Sequence, residues 1–388
     1  MKKVGIIGVG QTKFSTYQNE YTHPELVYQA VNSALLDAKL RIEDIQAIVY
    51  GSMDPFDGIN QPEKWISSAT GAYHKPFMKI STGGTTGLTT AVAAYQHCAS
   101  GVFDIVLAVG CQRVGTAEDA QSIINTCVDP IFEREVGQGA ITVGAMQACR
   151  HMFKYKSTDR QRAYIAVKDR KNALKNPYAH LRKEITIEEV LNSRIIEWPL
   201  RLFECCPRSD GACAVIFATE DVIKENPNFF VPAWVLAEIG ISDNYFWGDR
   251  PDFADWDSLE IAAKRLYRKA RITNPSKEIS VAELYCAFTS QHLLETEALG
   301  FCKKGEGGIK AEEGFFDIDG ELPTNPSGGV LCTNPIGITG LVRLAEAALQ
   351  VRERAGEHQV KNVEIALAHA WGGTAQFHAL MLLGKEKR

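Results

Sequence analysis

Short β-branched runs alternate along this chain with stretches whose apolar residues recur every three or four positions. KVGIIGVG at 3–10, IQAIVYGSM at 45–53, DIVLAVGCQ at 104–112 and GACAVIFAT at 211–219 read as strands buried on both faces. ELVYQAVNSALLDA at 25–38 and the segment 88–99 carry helical spacing. The pattern then recurs. VPAWVLAEIGIS at 231–242 reads as a strand, SLEIAAKRLYRKA at 258–270 as an amphipathic helix, and EISVAELYCAF at 278–288 as a strand. A long helix over 337–356 opens at glycines, and two final strands occupy 363–373 and 374–384. This alternation predicts an α/β fold with a mostly parallel sheet covered by helices on both faces. The repeated order of elements predicts an internal duplication, with halves at 1–225 and 226–388. Between 116 and 207 the first half is interrupted by a charged, helix-forming stretch, read as a helical excursion over the sheet edge and a place to bind substrate.

Composition narrows the classes. The 388 residues carry a formal net charge of -5 and 45% hydrophobic residues, enough for one large or two medium cores. The mild acidity argues against a general nucleic-acid binder. No window approaches the roughly 18 unbroken apolar residues of a membrane span. The start, MKKVGIIGVG, is basic and then apolar, but its run stops at Gly10-Gln11 without a small-residue cleavage site, so it reads as a first strand rather than an export signal. The ten cysteines form no CxxC pair, and most lie in apolar segments. The expectation is therefore a cytoplasmic protein with reduced cysteines, no structural zinc and no cofactor bound in this chain.

The chemistry gathers around STGGTTGLTTAVAAYQHCASG at 81–101, a Gly-rich turn running into an apolar helix. Together with VGIIGVGQTKF near the start, CCPRSDGACAVIFAT at 205–219, VAELYCAFTSQHLLETEALGFCKKGEGG at 281–308, LPTNPSGGVLCTNPIGITGLVRLAEAALQVRERAG at 322–356 and the terminal AWGGTAQFHALMLLG, it resembles the thiolase superfamily. The likeness is to the branch of sterol-carrier-protein-type thiolases and lipid-transfer-protein aldolases, and it covers nearly the whole chain. The resemblance implies a duplicated thiolase-like fold, five-layered αβαβα with mixed sheets. It also implies acyl-CoA as ligand, coenzyme A as substrate or product, a homodimer paired through the edge at 75–82, and a small zinc-ribbon and OB-fold partner protein.

The family's nucleophile is a cysteine at a helix N-terminus, where the dipole favours thiolate. An ungapped match places Gly84 there, and the alternative offset places Ile80; neither attacks a carbonyl. Thr85 and Thr86 carry hydroxyls but read as helix caps. The Gly84 turn and Thr85 keep backbone N–H groups that suit an oxyanion. Where the family has histidine before Pro-Ile-Gly, this chain has Asn334; where it has asparagine or histidine, Tyr285 stands, followed by Cys286, which on a strand would face the other way. The second family cysteine matches His369, or Trp371 if the turn shifts, just before Gly372-Gly373. Tyr285, His369 and Asn334 are thus the catalytic candidates, with Cys286 as a reserve nucleophile and Gly84, Thr85, Gly373 and Tyr245 as candidates for oxyanion or substrate binding. His378 reads as structural. Aromatic stretches at 244–256 and 226–234 fit a bulky acyl chain.

Two readings of function follow. The first is an enzyme that makes or breaks a C–C bond in an acyl-CoA thioester, by retro-aldol or retro-Claisen chemistry without a cysteine nucleophile. The second is a catalytically silent thiolase-like subunit that binds acyl-CoA or supports a competent paralogue.

Overall fold

The structure is a computed structural model, and it describes residues 1–56, 58–137, 139–226 and 231–387. Part of the aromatic stretch at 226–234 therefore lies outside the described residues. Nine strands build the main sheet: β1 (Val4–Gln11), β2 (Ala47–Gly51), β3 (Phe77–Ile80), β4 (Ile105–Arg113), β5 (Asp210–Thr219), β6 (Ala233–Ser242), β7 (Val281–Glu283), β8 (Ile365–Gly372) and β9 (Phe377–Gly384). Their spatial order is β3-β2-β4-β5-β1-β6-β9-β8-β7. The longer helices are α1 (His23–Ala38), α2 (Thr86–Ala99), α3 (Ala140–Tyr155), α4 (Asp159–Ala173), α5 (Asp257–Ala270), α6 (Thr289–Ala298) and α7 (Thr339–Val351).

The sheet is mixed rather than mostly parallel. Only β2–β3, β2–β4 and β7–β8 run parallel; β5 lies antiparallel to β4 and β1, and β9 antiparallel to β8 and β6. The reason is connectivity. β8 enters β9 through a tight turn, and the chain reaches β5 only after the long excursion, so neither junction is a helical crossover. Reading outward from the centre, β1-β5-β4-β2 and β6-β9-β8-β7 repeat one order. Among the described residues, β1 and β6 join the two sets through Gly5↔Trp234 and Ile6↔Ala233.

Helices complete the layers. α1 covers one face of the first set, with Leu26, Val27, Ala30, Val31 and Ala34 buried against Ile7, Ile48 and Ile216. Its start is a capping box, in which Thr22 and Glu25 satisfy each other's backbone N–H groups. α5 buries Leu259, Ala262, Ala263 and Leu266 on the outer face of the second set. α2 and α7 fill the middle, sharing one apolar core with both sets. They cross closely because glycines meet there. A Cβ on Gly87 would lie 2.5 Å from the Leu341 nitrogen, and one on Gly340 would lie 2.8 Å from the Leu88 nitrogen. Both N-termini therefore open at the same place.

A buried ion pair ties the central helix to the edge of the second set. The Arg343 guanidinium on α7 meets the Glu283 carboxylate at the end of β7, and Ser327 bonds both, its hydroxyl 2.8 Å from Glu283 and 2.6 Å from Arg343. Both charged residues are essentially inaccessible to solvent. The strand expected over 278–288 stops at Glu283. Beyond it, side chains rather than a strand neighbour satisfy the backbone: Asn325 Oδ1 accepts from the Leu284 N–H at 2.7 Å, and Gln291 Oε1 accepts from the Ala287 N–H at 3.0 Å. The excursion forms α3, α4 and shorter helices, and α4 docks on the 324–327 loop through Lys168 and Asn172, with Asn176 just beyond the helix adding a third bond.

Removing one member of the buried pair strands the other. Arg343→Met should cost about 3–5 kcal/mol, whereas adding Glu283→Leu should recover much of that loss. Urea unfolding of the two variants checks both values.

Candidate active site

The site forms where α2 and α7 begin. Thr82, Gly83, Gly84 and Thr85 make the turn into α2. Their hydroxyls brace the turn itself: Thr85 Oγ1 donates to the Thr82 carbonyl at 2.6 Å, Thr86 Oγ1 donates to the Gly83 carbonyl at 2.6 Å, and Thr86 Oγ1 accepts from the Thr82 N–H at 2.8 Å. The Thr85 side chain is thus turned away from the pocket, and its backbone remains. That backbone packs directly on the end of β8. A Cβ on Gly372 would come within 2.5 Å of the Gly84 nitrogen and 2.8 Å of the Thr85 nitrogen, and one on Gly83 within 3.2 Å of the Gly373 nitrogen. Gly373 is therefore at the Gly84 turn.

Gly84 has no room for a side chain. A Cβ there would sit 2.4 Å from the Trp371 carbonyl oxygen and 3.3 Å from the Tyr285 hydroxyl. The space a nucleophile would use is held by a backbone oxygen and a phenol. Tyr285 is buried, and its hydroxyl donates to the Ile336 carbonyl at 3.2 Å and to Asn334 Oδ1 at 3.4 Å. Burial pushes the Tyr285 phenol up, with Cys206 adding to the shift, so it rests protonated. Asn334 Oδ1 also accepts from Thr339 at 2.8 Å, and Asn334 Nδ2 donates to Cys206 Sγ at 3.0 Å. Burial pushes the Cys206 thiol up to about 11, and the Asn334 contact offsets part of the shift. Ile336 has φ 24°, an outlier for a β-branched residue, and it is this strained residue whose carbonyl receives Tyr285.

Gly84, Tyr285, Asn334 and Gly373 thus come together, joined by Cys206 and Trp371. Cys206 is a polar neighbour that nothing in its CCPRSDGA motif singles out as a site thiol. The Trp371 indole donates to the Tyr285 carbonyl at 2.6 Å, and the two rings lie 5.4 Å apart.

His369 does not join them. Along β8, Ala368 and Ala370 face α7, so His369 faces the opposite side, toward α5 and α6. There it forms a second, fully buried chain. His369 Nδ1 is 3.3 Å from Glu295 Oε2, His369 Nε2 is 3.2 Å from His378 Nδ1, and Cys286 Sγ is 3.2 Å from Glu295 Oε2. Cys286 does point away from the Tyr285 hydroxyl, but as part of an irregular segment rather than a strand. Burial lowers His369 to about 3, lowers His378, and raises Glu295 and Cys286 well above their usual ranges. Burial thus favours the neutral form of all four groups, and Cys286 is a shielded thiol. Tyr245 is 58% exposed and packs its ring 6.5 Å from Phe246, outside the Gly84 pocket.

Among the described residues no cluster of His, Cys, Asp and Glu could hold a metal ion, and no helix is long and apolar enough to cross a membrane. The chemistry available is proton transfer at Tyr285, beside two helix N-termini that favour developing negative charge.

Comparison with known proteins fits this arrangement. The thiolase N-terminal domain family matches residues 4–221, and the thiolase C-terminal domain-like family matches 241–385. An acetyl-CoA acetyltransferase of Methanothermobacter thermautotrophicus is 33% identical over 388 residues, covering 99% of this chain and 100% of that one. Bovine sterol carrier protein 2 is 30% identical over 384 residues, covering 95% of this chain and 70% of that protein. Among solved structures, the Ltp2-ChsH2(DUF35) aldolase superposes with a TM-score of 0.85 at 27% identity, covering 99% of this chain and 98% of the other.

Two predictions follow from this geometry. Placing a thiol in the turn by Gly84→Cys should cost about 1–3 kcal/mol, the usual range for overpacking, because a backbone oxygen blocks the new Cβ; thermal and urea unfolding measure it. His369 binds a proton in the unfolded chain near 6.5 but in the folded chain only near 3, so its neutral state stabilises the fold at pH 7 and that contribution falls between pH 6.5 and 3. The stability difference between wild type and His369→Gln should shrink across this window in unfolding titrations. The chain, with the thiolase N-terminal domain and the thiolase C-terminal domain-like family matched in order along it, belongs to the thiolase superfamily.

Proposed function

We propose that this protein makes or breaks a C–C bond in an acyl-CoA thioester without forming an acyl-enzyme. The observation that carries this reading is the Tyr285 hydroxyl standing 3.3 Å from the position a Gly84 Cβ would take. A protonated phenol at that point serves as a general acid. In the aldol direction it gives its proton to the β-alkoxide as the new C–C bond forms and is left as phenolate; cleavage is the reverse, the phenolate taking the β-hydroxyl proton as the C–C bond breaks and the released enolate taking a proton from solvent. The enolate of the released thioester is stabilised by the amides of the Gly84 turn and by the N-terminal ends of α2 and α7. Asn334 orients the phenol and supplies an amide at the pocket wall. A direct attack of coenzyme A on a β-ketoacyl-CoA is the retro-Claisen variant of the same reading. The names of the similar proteins, an acetyl-CoA acetyltransferase and an aldolase, support both variants.

Further parts of the reading concern assembly. The chain divides into two thiolase-like halves, 1–225 and 226–388. It pairs with a second copy through β3, which lies at the outer end of the sheet with Met78 exposed. It works in the cytoplasm with a small zinc-ribbon and OB-fold partner; the DUF35 component named in the similar aldolase supports such a partner.

The test is a panel of β-keto and β-hydroxy acyl-CoA thioesters, aromatic ones included, incubated with and without that partner and read by mass spectrometry. Tyr285→Phe should lower turnover by about a hundredfold or more while leaving stability little changed. Intact-mass analysis should find no acyl adduct on residues 80–87. An adduct on Cys206 would replace the non-covalent route with thioester exchange at that thiol.

A further inference from the structure

The turn between β8 and β9 is built from the wrong residues for its shape. Gly373 to Gln376 is closed by the Gln376 N–H donating to the Gly373 carbonyl at 3.0 Å, and both central residues have positive φ, Thr374 at 55° and Ala375 at 62°. A two-residue hairpin of this sense ordinarily takes Asn-Gly or Gly-Gly at its centre. Threonine, being β-branched, resists that conformation most. Something outside the turn must hold it.

Two side chains of the 243–256 loop converge on one atom of it. The Trp247 indole N–H donates to the Thr374 carbonyl at 2.8 Å, and Arg250 Nη1 donates to the same oxygen at 2.7 Å. The Asp243 N–H donates to the Gln376 carbonyl at 2.7 Å. Arg250 spends its other donors on the Asn244 carbonyl and lies 5.2 Å over the Trp247 ring, so the pair is rigid. The loop is anchored in turn to α3 through paired bonds from Arg150 to Asp252 at 3.0 and 2.8 Å, and the Trp247 N–H donates to Glu133 at 3.0 Å. On its other side the turn begins at Gly372 and Gly373, the residues packed backbone to backbone on the Gly84 turn.

We propose that Trp247 and Arg250 are positioning residues: by bonding the Thr374 carbonyl they hold the last turn left-handed and so press Gly372 and Gly373 against the Gly84 turn. The catalytic consequence rests on the reading of the site given above; the conformational claim does not. Thr374 is buried, so removing both donors leaves its carbonyl unpaired and the turn free to relax.

The experiment combines Trp247→Phe, which keeps the ring and loses the N–H, with Arg250→Met, which keeps the stem. Amide hydrogen exchange over 372–376 should quicken by about tenfold or more in the double variant, since local opening becomes cheaper. On whichever acyl-CoA the panel shows to be turned over, kcat should fall by about tenfold or more while KM stays within about twofold, the mark of misplaced reacting groups. Adding Thr374→Gly should restore most of both, because glycine adopts the left-handed turn without being held. Arg250→Lys, still a cationic donor, should retain more than Arg250→Met. Unchanged exchange in the double variant overturns the proposal, as does a failure of Thr374→Gly to restore protection. If the wild type turns over no acyl-CoA, the functional reading falls, and the exchange measurements still decide the latch.

Discussion

The site depends on one interaction that never touches it, the ion pair of Arg343 and Glu283 sealed beneath α7. Taking two charges out of water is costly, and such a pair persists only when hydrogen bonds complete its shell. Ser327 supplies part of that shell, and the 324–327 loop it belongs to is bonded by Lys168 and Asn172 of α4 and by Asn176 just beyond it. One buried cluster thus fixes α7 against β7, orients the segment that carries Tyr285, and docks the excursion onto the sheet. Apolar packing alone would allow α7 to slide; paired charges allow one register.

Much of this arrangement was legible in the chain. Strand runs such as 3–10 and 104–112 are apolar without alternation because both faces are buried, and they appear as β1 and β4. The Gly-rich openings of α2 and α7 marked where backbones would meet. Gly84, Tyr285, Asn334 and Gly373 converge because each sits at an element end that the fold directs to one point. What the pattern could not carry was local satisfaction of backbone groups. The run 278–288 is apolar enough for a long strand, but Asn325 and Gln291 take its N–H groups, and nothing in periodicity reports that competition. Likewise sequence position places His369 close to Gly372 and Gly373, while the alternation of β8 sends its side chain to the face opposite Ala368 and Ala370.

The separation of two polar centres on opposite faces of β8 has a physical logic. The Tyr285 hydroxyl lies near helix N-termini, where partial positive charge gathers. The Glu295, His369, His378 and Cys286 chain lies in a closed apolar layer where burial favours the neutral form of every member. An ionised Glu295 or Cys286 on the Tyr285 side would instead bring negative charge against those helix ends. Trp371 stands between the two, bonded to the Tyr285 carbonyl and stacked edge-on with Trp256 at 5.7 Å.

The Trp371 carbonyl that fills the space beside Gly84 also bears on ancestry. A side chain in that space could be trimmed by one substitution, but a backbone oxygen moves only if the whole final hairpin moves. A lineage with this packing cannot place a side chain at position 84 by a single codon change without first losing stability. The packing acts as a ratchet. Selection on such a protein is left to explore the residues around the phenol rather than position 84 itself.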